Sequence, residues 1–368
     1  MNSIRPWRRS TRNGWTVSLN ALALLSVLPG WLGSTPAVMA QGQAHGSARY
    51  NVVDCGPSLV RTLVNTPGLN KGGQLAIWHT TDGGSITGIV FQGQKTTMIA
   101  GKDKFSFVYP SDINDQGTVV GSLQMPQDLR FTRAFKWSGG KLQLLGGLGG
   151  SYDAATAINA SGEVAGNAQT VTGAKHAVLW KDGTARDLGL LPRGDYSSAR
   201  DINDLGDVVG EANTASNSKP HAFLWHQGRM RRLADLDGGS FCSAQAINNK
   251  GVVIGSCDTA EGTGHGVIWR AGHIEDLGAL GADDDSPSTA LDINAQDEVV
   301  GSSEITDGKL RAFLWKDGKI MDLNQAIPPQ SGWLLLVASR INDRGEIAGR
   351  GLFQGAVHAF LLKPITMR

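Results

Sequence analysis

Asp201-Ile202-Asn203-Asp204-Leu205-Gly206-Asp207-Val208-Val209-Gly210, followed after a polar loop by His221-Ala222-Phe223-Leu224-Trp225, is the stretch whose reading decides the fold. Short runs rich in Val, Ile, Phe and Trp, separated by Asn-Asp-x-Gly and Gly turns, have the composition of strands. No window carries a helical period. The Asn-Asp-x-Gly step predicts a tight hairpin, because Asn and Gly both tolerate positive φ.

The block recurs. The Ile-Asn step returns at Ile113-Asn114, Ile158-Asn159, Ile202-Asn203, Ile247-Asn248, Ile293-Asn294 and Ile341-Asn342, with Leu69-Asn70 as a weaker first copy. Successive spacings are 44, 45, 44, 45, 46 and 48 residues. Four residues after each Ile or Leu stands Gly73, Gly117, Gly162, Gly206, Gly251, Asp297 or Gly345. The second block ends in an aromatic at Phe91, Trp137, Trp180, Trp225, Trp269 and Trp315, and in Leu362 in the last copy. Each unit reads as four strands, a to d: Ser198 to Ile202, Asp207 to Gly210, His221 to Trp225, and a strand d of the kind that ends at Leu188 or Leu323.

Four strands in about 45 residues, repeated seven times, predict an all-β fold, a seven-bladed β-propeller of four-stranded blades. Both faces of each blade then pack on neighbours, which accounts for the unbroken apolar run Ala222 to Trp225. The last copy stops at strand c, His358 to Leu362, and lacks a strand d. Tyr50 to Cys55, ahead of the first copy, has the strand-d form of Arg186-Asp187-Leu188. The N-terminal strand is therefore expected to complete the last blade and leave no open sheet edge.

The copies resemble HAF repeats, an extracellular bacterial repeat named for its His-Ala-Phe triplet. The matching pieces are Asp201 to Gly210 with His221 to Trp225, and His176, His265 and His358 heading the same column. The resemblance covers roughly residues 50–362. Arg133, Arg311 and Thr87 depart from it at the His position, and Asp297 at a turn Gly. It implies secretion and repetition, and it brings no catalytic residue.

Residues 1–40 read as a secretory signal peptide. Arg5, Arg8, Arg9 and Arg12 precede a largely apolar stretch from Trp15 to Leu32, and Val38-Met39-Ala40 offers small residues for cleavage. Residues 41–49 are a short leader, and 50–368 form one propeller domain. The chain carries 34 Lys+Arg and 33 Asp+Glu; the signal takes away four Arg and no acid, leaving 30 against 33. No basic tract remains to support nucleic-acid binding. A periplasmic or secreted protein is expected, with no stable membrane span after cleavage, and monomeric.

Export into an oxidising compartment gives the three cysteines meaning. Cys242 and Cys257 flank one a–b hairpin. If Ile247 faces Val252, Cys242 faces Cys257, within reach of a disulfide. Cys55 stands in a Leu/Ile column and reads as a small buried hydrophobe.

The a–b and c–d turns are tight and share one face. The longer b–c loops and d–a crossovers share the other, where binding surfaces commonly lie. Six residues before the Ile come Phe107, Tyr152, Tyr196 and Phe241. These aromatics can stack on sugar rings or grip a peptide, and Asp153 and Asp195 can accept hydrogen bonds from hydroxyls. Trp333, in the longest crossover, is a separate candidate. The structural alternative is that all these rings fill gaps between blades.

The His column is not a metal site on this reading. One His per blade, on a strand that is not innermost, does not bring ligands to one ion; each imidazole is expected to bond backbone or a crossover loop. Asp283-Asp284-Asp285 offers clustered oxygens to Ca²⁺ but lacks the spaced loop pattern. The chain has no Gly-x-Ser-x-Gly, His-Glu-x-x-His or phosphate loop. A binding module for an envelope or extracellular glycan or protein is the leading expectation. A propeller hydrolase or lyase, favoured by a deep pocket with unpaired acids and His, and a purely structural envelope component, favoured by a plugged mouth, are the alternatives.

Overall fold

The computed structural model describes residues 49–57, 68–80, 84–93, 95–99, 107–125, 128–215, 219–281, 286–305 and 308–365. The expected signal peptide and the Asp283–Asp285 loop lie outside these residues. The fold is all-β. A short 3-10 turn lies at Leu323–Gln325, and among the described residues no helix is long and apolar enough to cross a membrane.

The fourth unit shows the pattern. Strands Ser197–Ile202, Val208–Ala212, His221–His226 and Arg229–Arg232 pair in that order, each antiparallel to the next. Units five and six repeat it as separate four-stranded sheets. Units one to three run together into one sheet of twelve, joined by the single parallel pairs Ile86↔Phe107 and Thr132↔Tyr152. In the last unit Trp333–Ile341, Ile347–Phe353 and Ala356–Pro364 take Tyr50–Pro57 as their fourth strand, antiparallel, from Tyr50↔Pro364 to Pro57↔His358. The N-terminal strand thus fills the place that the sequence left vacant.

The apolar core is divided into slabs, each between neighbouring units. Leu179 and Leu188 of unit three pack with Phe223 and Trp225 of unit four. Val209 and Ala222 of unit four pack with Ile247, Val267 and Trp269 of unit five. Strand c therefore does alternate, but between two apolar neighbours rather than between core and water. Leu75 of unit one packs with Ala348 and Leu361 of unit seven, and Cys55 lies half-buried against this slab. Burial and the adjacent Asp54 carboxylate push the Cys55 thiol up to about 12, so it is a weak nucleophile.

Every full strand a carries a β-bulge just before its end, for example between Ala199 and Asp201 or Ala244 and Ala246. The bulge brings a strand-a carbonyl over strand b. A Cβ built at Gly210 would lie 2.0 Å from the Ser198 carbonyl oxygen, and one at Gly255 would lie 2.0 Å from that of Ser243. This close approach explains the Gly at this column, Gly121, Gly166, Gly210, Gly255, Gly301 and Gly349, where only the first copy differs, with Ile77.

The bulge also corrects the register expected for the hairpins. Ile247 pairs with Val253, not Val252, and the extra residue in strand a restores the offset so that Cys242 faces Cys257. The two cysteines form a disulfide. The turn chemistry differs from expectation too. Asn203 is not in the left-handed region, whereas Gly206 is, at φ 79°. Asn203 acts through its side chain.

Candidate functional site

The repeated residues are consumed in holding units together at the a–b turn end. Asn203 Oδ1 accepts the backbone N–H groups of Leu205 and Asp207, at 3.1 and 2.9 Å. Its Nδ2 donates to the carbonyl oxygen of Asn248 in the next unit, at 3.2 Å. The same inter-unit bond runs from Asn70 to Asn114, Asn114 to Asn159, Asn159 to Asn203, Asn248 to Asn294, Asn294 to Asn342, and Asn342 back to Asn70. The residue after the Asn adds a second tier: Asp204 accepts the N–H of Ala160, and Asp343 that of Ala295.

Strand-a residues of all seven units line a cavity of about 220 Å³ at this end. Inside it stand Asp112, Asp201, Asp292 and Arg340. Each Asp bridges two units. Asp201 Oδ1 accepts the N–H of Ile202, and its Oδ2 that of Ile247 in the next unit. Asp112 joins Ile113 to Ile158 in the same way, and Asp292 joins Ile293 to Ile341. Enclosure in the channel raises these carboxyls, Asp201 to about 7 and Asp292 to about 6. Their mutual repulsion adds to this; the N–H donors oppose it at both, and at Asp292 the Arg340 guanidinium opposes it most. The sequence signal was an Asp just before Ile in alternate copies, with Ala between them.

The His column binds carboxylates: on strand d rather than backbone or crossover in three copies, and on the crossover, as expected, in unit four. His176 Nδ1 lies 2.7 Å from Asp187, His265 Nδ1 2.7 Å from Asp276, and His358 Nδ1 2.9 Å from Asp54. All three acids sit on strand d, paired next to strand c. Unit four has Arg232 at that position, and His221 uses Asp235 just beyond it, at 3.1 Å. Arg311 substitutes for His with Asp322, at 4.0 Å. Unit two has Leu144 there, so Arg133 reaches forward to Asp153 of unit three, at 3.2 Å. Among the described residues no group of three metal-ligating side chains converges.

The candidate aromatics fall at the other end, where strands b–c and d–a connect, and they differ in environment. Tyr152 is 39% exposed. Phe131, next to the residue paired with Tyr152, is 37% exposed, with the Arg133 guanidinium 4.8 Å from its ring centre. Sequence reasoning missed Phe131, because it lies on an N-terminal extension of strand c, Asp128–Ser138, ahead of the block that the copies share. Leu129, on the same strand as Phe131, and Val171, in the b–c turn of unit three, are exposed as well. Tyr196 is half-buried; its hydroxyl donates to Glu211 Oε1 at 2.8 Å, and Lys175 Nζ lies 5.5 Å from its ring centre. Phe107 is half-buried and stacks on Tyr109, whose ring edge meets Trp78. Phe241 is half-buried.

Asp153 lies beneath the surface, 2% exposed, rather than offering its carboxylate outward. Oδ2 pairs with Arg133, and Oδ1 lies where a Gly147 Cβ would be, 2.0 Å from it. Burial raises this carboxyl and Arg133 opposes the shift. Asp195 is exposed and accepts from Asn213 Nδ2 at 2.7 Å. Trp333 is half-buried, stacked on Phe353 at 5.0 Å with Phe360 and His358 at its edge; it is part of the packing of unit seven.

No protein-family model matches the chain, and no curated protein matches its sequence. Among solved structures it resembles the β-propeller domain of the Trilobed protease from Pyrococcus furiosus, described as having an open velcro topology. The TM-score is 0.52 and the identity 12%, over 70% of this chain and 80% of that one. It also resembles puromycin hydrolase, with TM-score 0.55 and 12% identity over 84% of this chain and 54% of that one. A puromycin-hydrolyzing peptidase from Mycobacterium tuberculosis matches with TM-score 0.54 and 12% identity, over 85% and 53%. The chain spans about half the length of these two hydrolases. At such identity the likeness establishes a β-propeller fold and nothing of the chemistry.

Proposed function

We propose that the chain is an exported, monomeric, seven-bladed propeller of HAF-type repeats, closed by its N-terminal strand, that binds an extracellular or envelope glycan on the b–c/d–a face. The cycle of Asn hydrogen bonds and the pairing of Tyr50–Pro57 with Ala356–Pro364 support closure. The signal-like residues 1–40 and the Cys242–Cys257 disulfide support export.

The observation that carries the binding role is the exposure of Tyr152 and Phe131 at one mouth. Repeat-column side chains at the a–b end are spent on inter-unit bonds. At the opposite end Tyr152 and Phe131 face water, Phe131 beside the Arg130 and Arg133 guanidinium groups, an arrangement suited to stacking on pyranose rings. The acids of the cavity are each held by two backbone N–H groups, so no specific observation favours hydrolysis.

The test is a screen of the protein from residue 41 onward against glycans and cell-wall fragments. A Tyr152→Ala/Tyr196→Ala double variant and a His221→Ala control run beside it. A glycan retained by the control and lost by the double variant is the expected result. Retention by the double variant moves the site elsewhere, and a well-folded protein that binds no glycan overturns the reading.

A further inference from the structure

A repeat makes departures informative: a side chain present in one copy only is not required by the shared fold. Three such residues meet where units three and four join at the aromatic mouth. Lys175 occupies a column that otherwise holds Thr132, Pro220, Gly264, Leu310 and Val357. Arg200 is the bulge residue of its strand, where other copies have Ser111, Thr156, Gln245, Leu291 and Ser339. Glu211 stands where others have Ser122, Asn167, Ser256, Ser302 and Arg350.

Their charges do not balance. Arg200 Nη2 pairs with Glu211 Oε1 at 3.2 Å, and the same oxygen accepts the Tyr196 hydroxyl. Lys175 is half-buried against the Tyr196 ring and makes no ion pair with a carboxylate among the described residues. Asp153 is taken by Arg133, and Asp195 is held by Asn213. Two cations therefore share one carboxylate. Burial and Arg200 both depress the Lys175 ammonium, and Glu211 only partly offsets them. A desolvated cation kept beside another cation costs stability, and such local violations concentrate at functional sites.

We propose that Lys175, with Arg200 behind it, forms a subsite for the carboxylate of an acidic sugar whose ring lies on Tyr152. This rests on the mouth reading above and specifies its ligand as a uronate-containing glycan. The anion supplies the counter-charge that the protein lacks.

The probes are a short oligogalacturonate and its methyl ester, titrated calorimetrically into the full exported chain. The free acid is expected to bind at least tenfold tighter than the ester. Lys175→Gln should abolish that preference, Lys175→Arg should keep it, and Tyr152→Ala should weaken both ligands alike. Thermal melts of each variant report folding. Equal affinity for acid and ester in the wild type overturns the subsite while leaving the mouth as a neutral-glycan site. So does a preference that survives in a folded Lys175→Gln protein. Absence of binding by either oligomer overturns the subsite too, and the broader screen then judges the mouth.

Discussion

Replacing Asn203 by Ala tests whether the inter-unit Asn bonds hold the ring. The side chain is 3% exposed and makes four hydrogen bonds. Two satisfy backbone N–H groups in its own turn and one reaches the next unit. The fourth, to Asp207 Oδ2 at 3.3 Å, is long. At about 1 kcal/mol net for each of the three better bonds, the loss is about 3 kcal/mol, with any N–H left dry adding to it. The neighbouring Leu205, 71% exposed in the same turn, is the control; Leu205→Ala should stay within about 0.5 kcal/mol. Urea unfolding followed by tryptophan fluorescence gives both values, provided the slope with denaturant is unchanged. A cost for Asn203→Ala below about 1 kcal/mol, or equal costs for the two variants, would refute the reasoning.

Three further outcomes follow from the same geometry. Asp201 and Asp292 have folded pKa values raised to about 7 and about 6 from 3.8. Their contribution to stability is full below pH 4 and is lost as pH rises through 6 and 7, so the urea midpoint should fall between pH 5 and pH 8; a midpoint that rises across that range contradicts the burial of these groups. The Cys242–Cys257 bond closes a loop of sequence separation 15. Reduction, or replacement of both cysteines by Ala, should cost about 3 kcal/mol on the loop-entropy estimate, and intact mass before and after alkylation establishes whether the bond is present. Gly210→Ala puts a Cβ against the Ser198 carbonyl and should cost more than about 3 kcal/mol; Gly251→Ala, with no atom near but φ 76°, should cost about 1 kcal/mol.

The repeat, its phase and the role of Tyr50–Pro57 were legible in the sequence because Ile, Gly and Trp columns record fixed structural needs. The disulfide pairing was legible as well, although by a register that was one residue off at the turn and put right by the bulge at Gln245. A bulge leaves no mark of its own in the strand that carries it; its trace was the Gly facing it, which read as a strand end. The partners of His176, His265 and His358 could have been read from the Asp-Leu or Asp-Cys step of strand d. The Asp112, Asp201 and Asp292 staples were obscured by Ala157 and Ala246 between them. At the mouth, sequence placed Tyr152 and Tyr196 in one column but could not separate an exposed ring from a half-buried one. That difference comes from what packs above them: Glu211 and Lys175 engage Tyr196, whereas Tyr152 faces water.

The central claim, that ligand is held at the b–c/d–a mouth, is tested most directly by a fluorescence titration with the best glycan from the screen. Wild type, Tyr152→Ala and Leu205→Ala would be compared; the last two alter exposed side chains at opposite ends of the strands. The account predicts at least a tenfold loss for Tyr152→Ala and no change for Leu205→Ala. Unchanged affinity in a folded Tyr152→Ala protein would contradict it, and a loss confined to Leu205→Ala would place the site at the a–b turns instead.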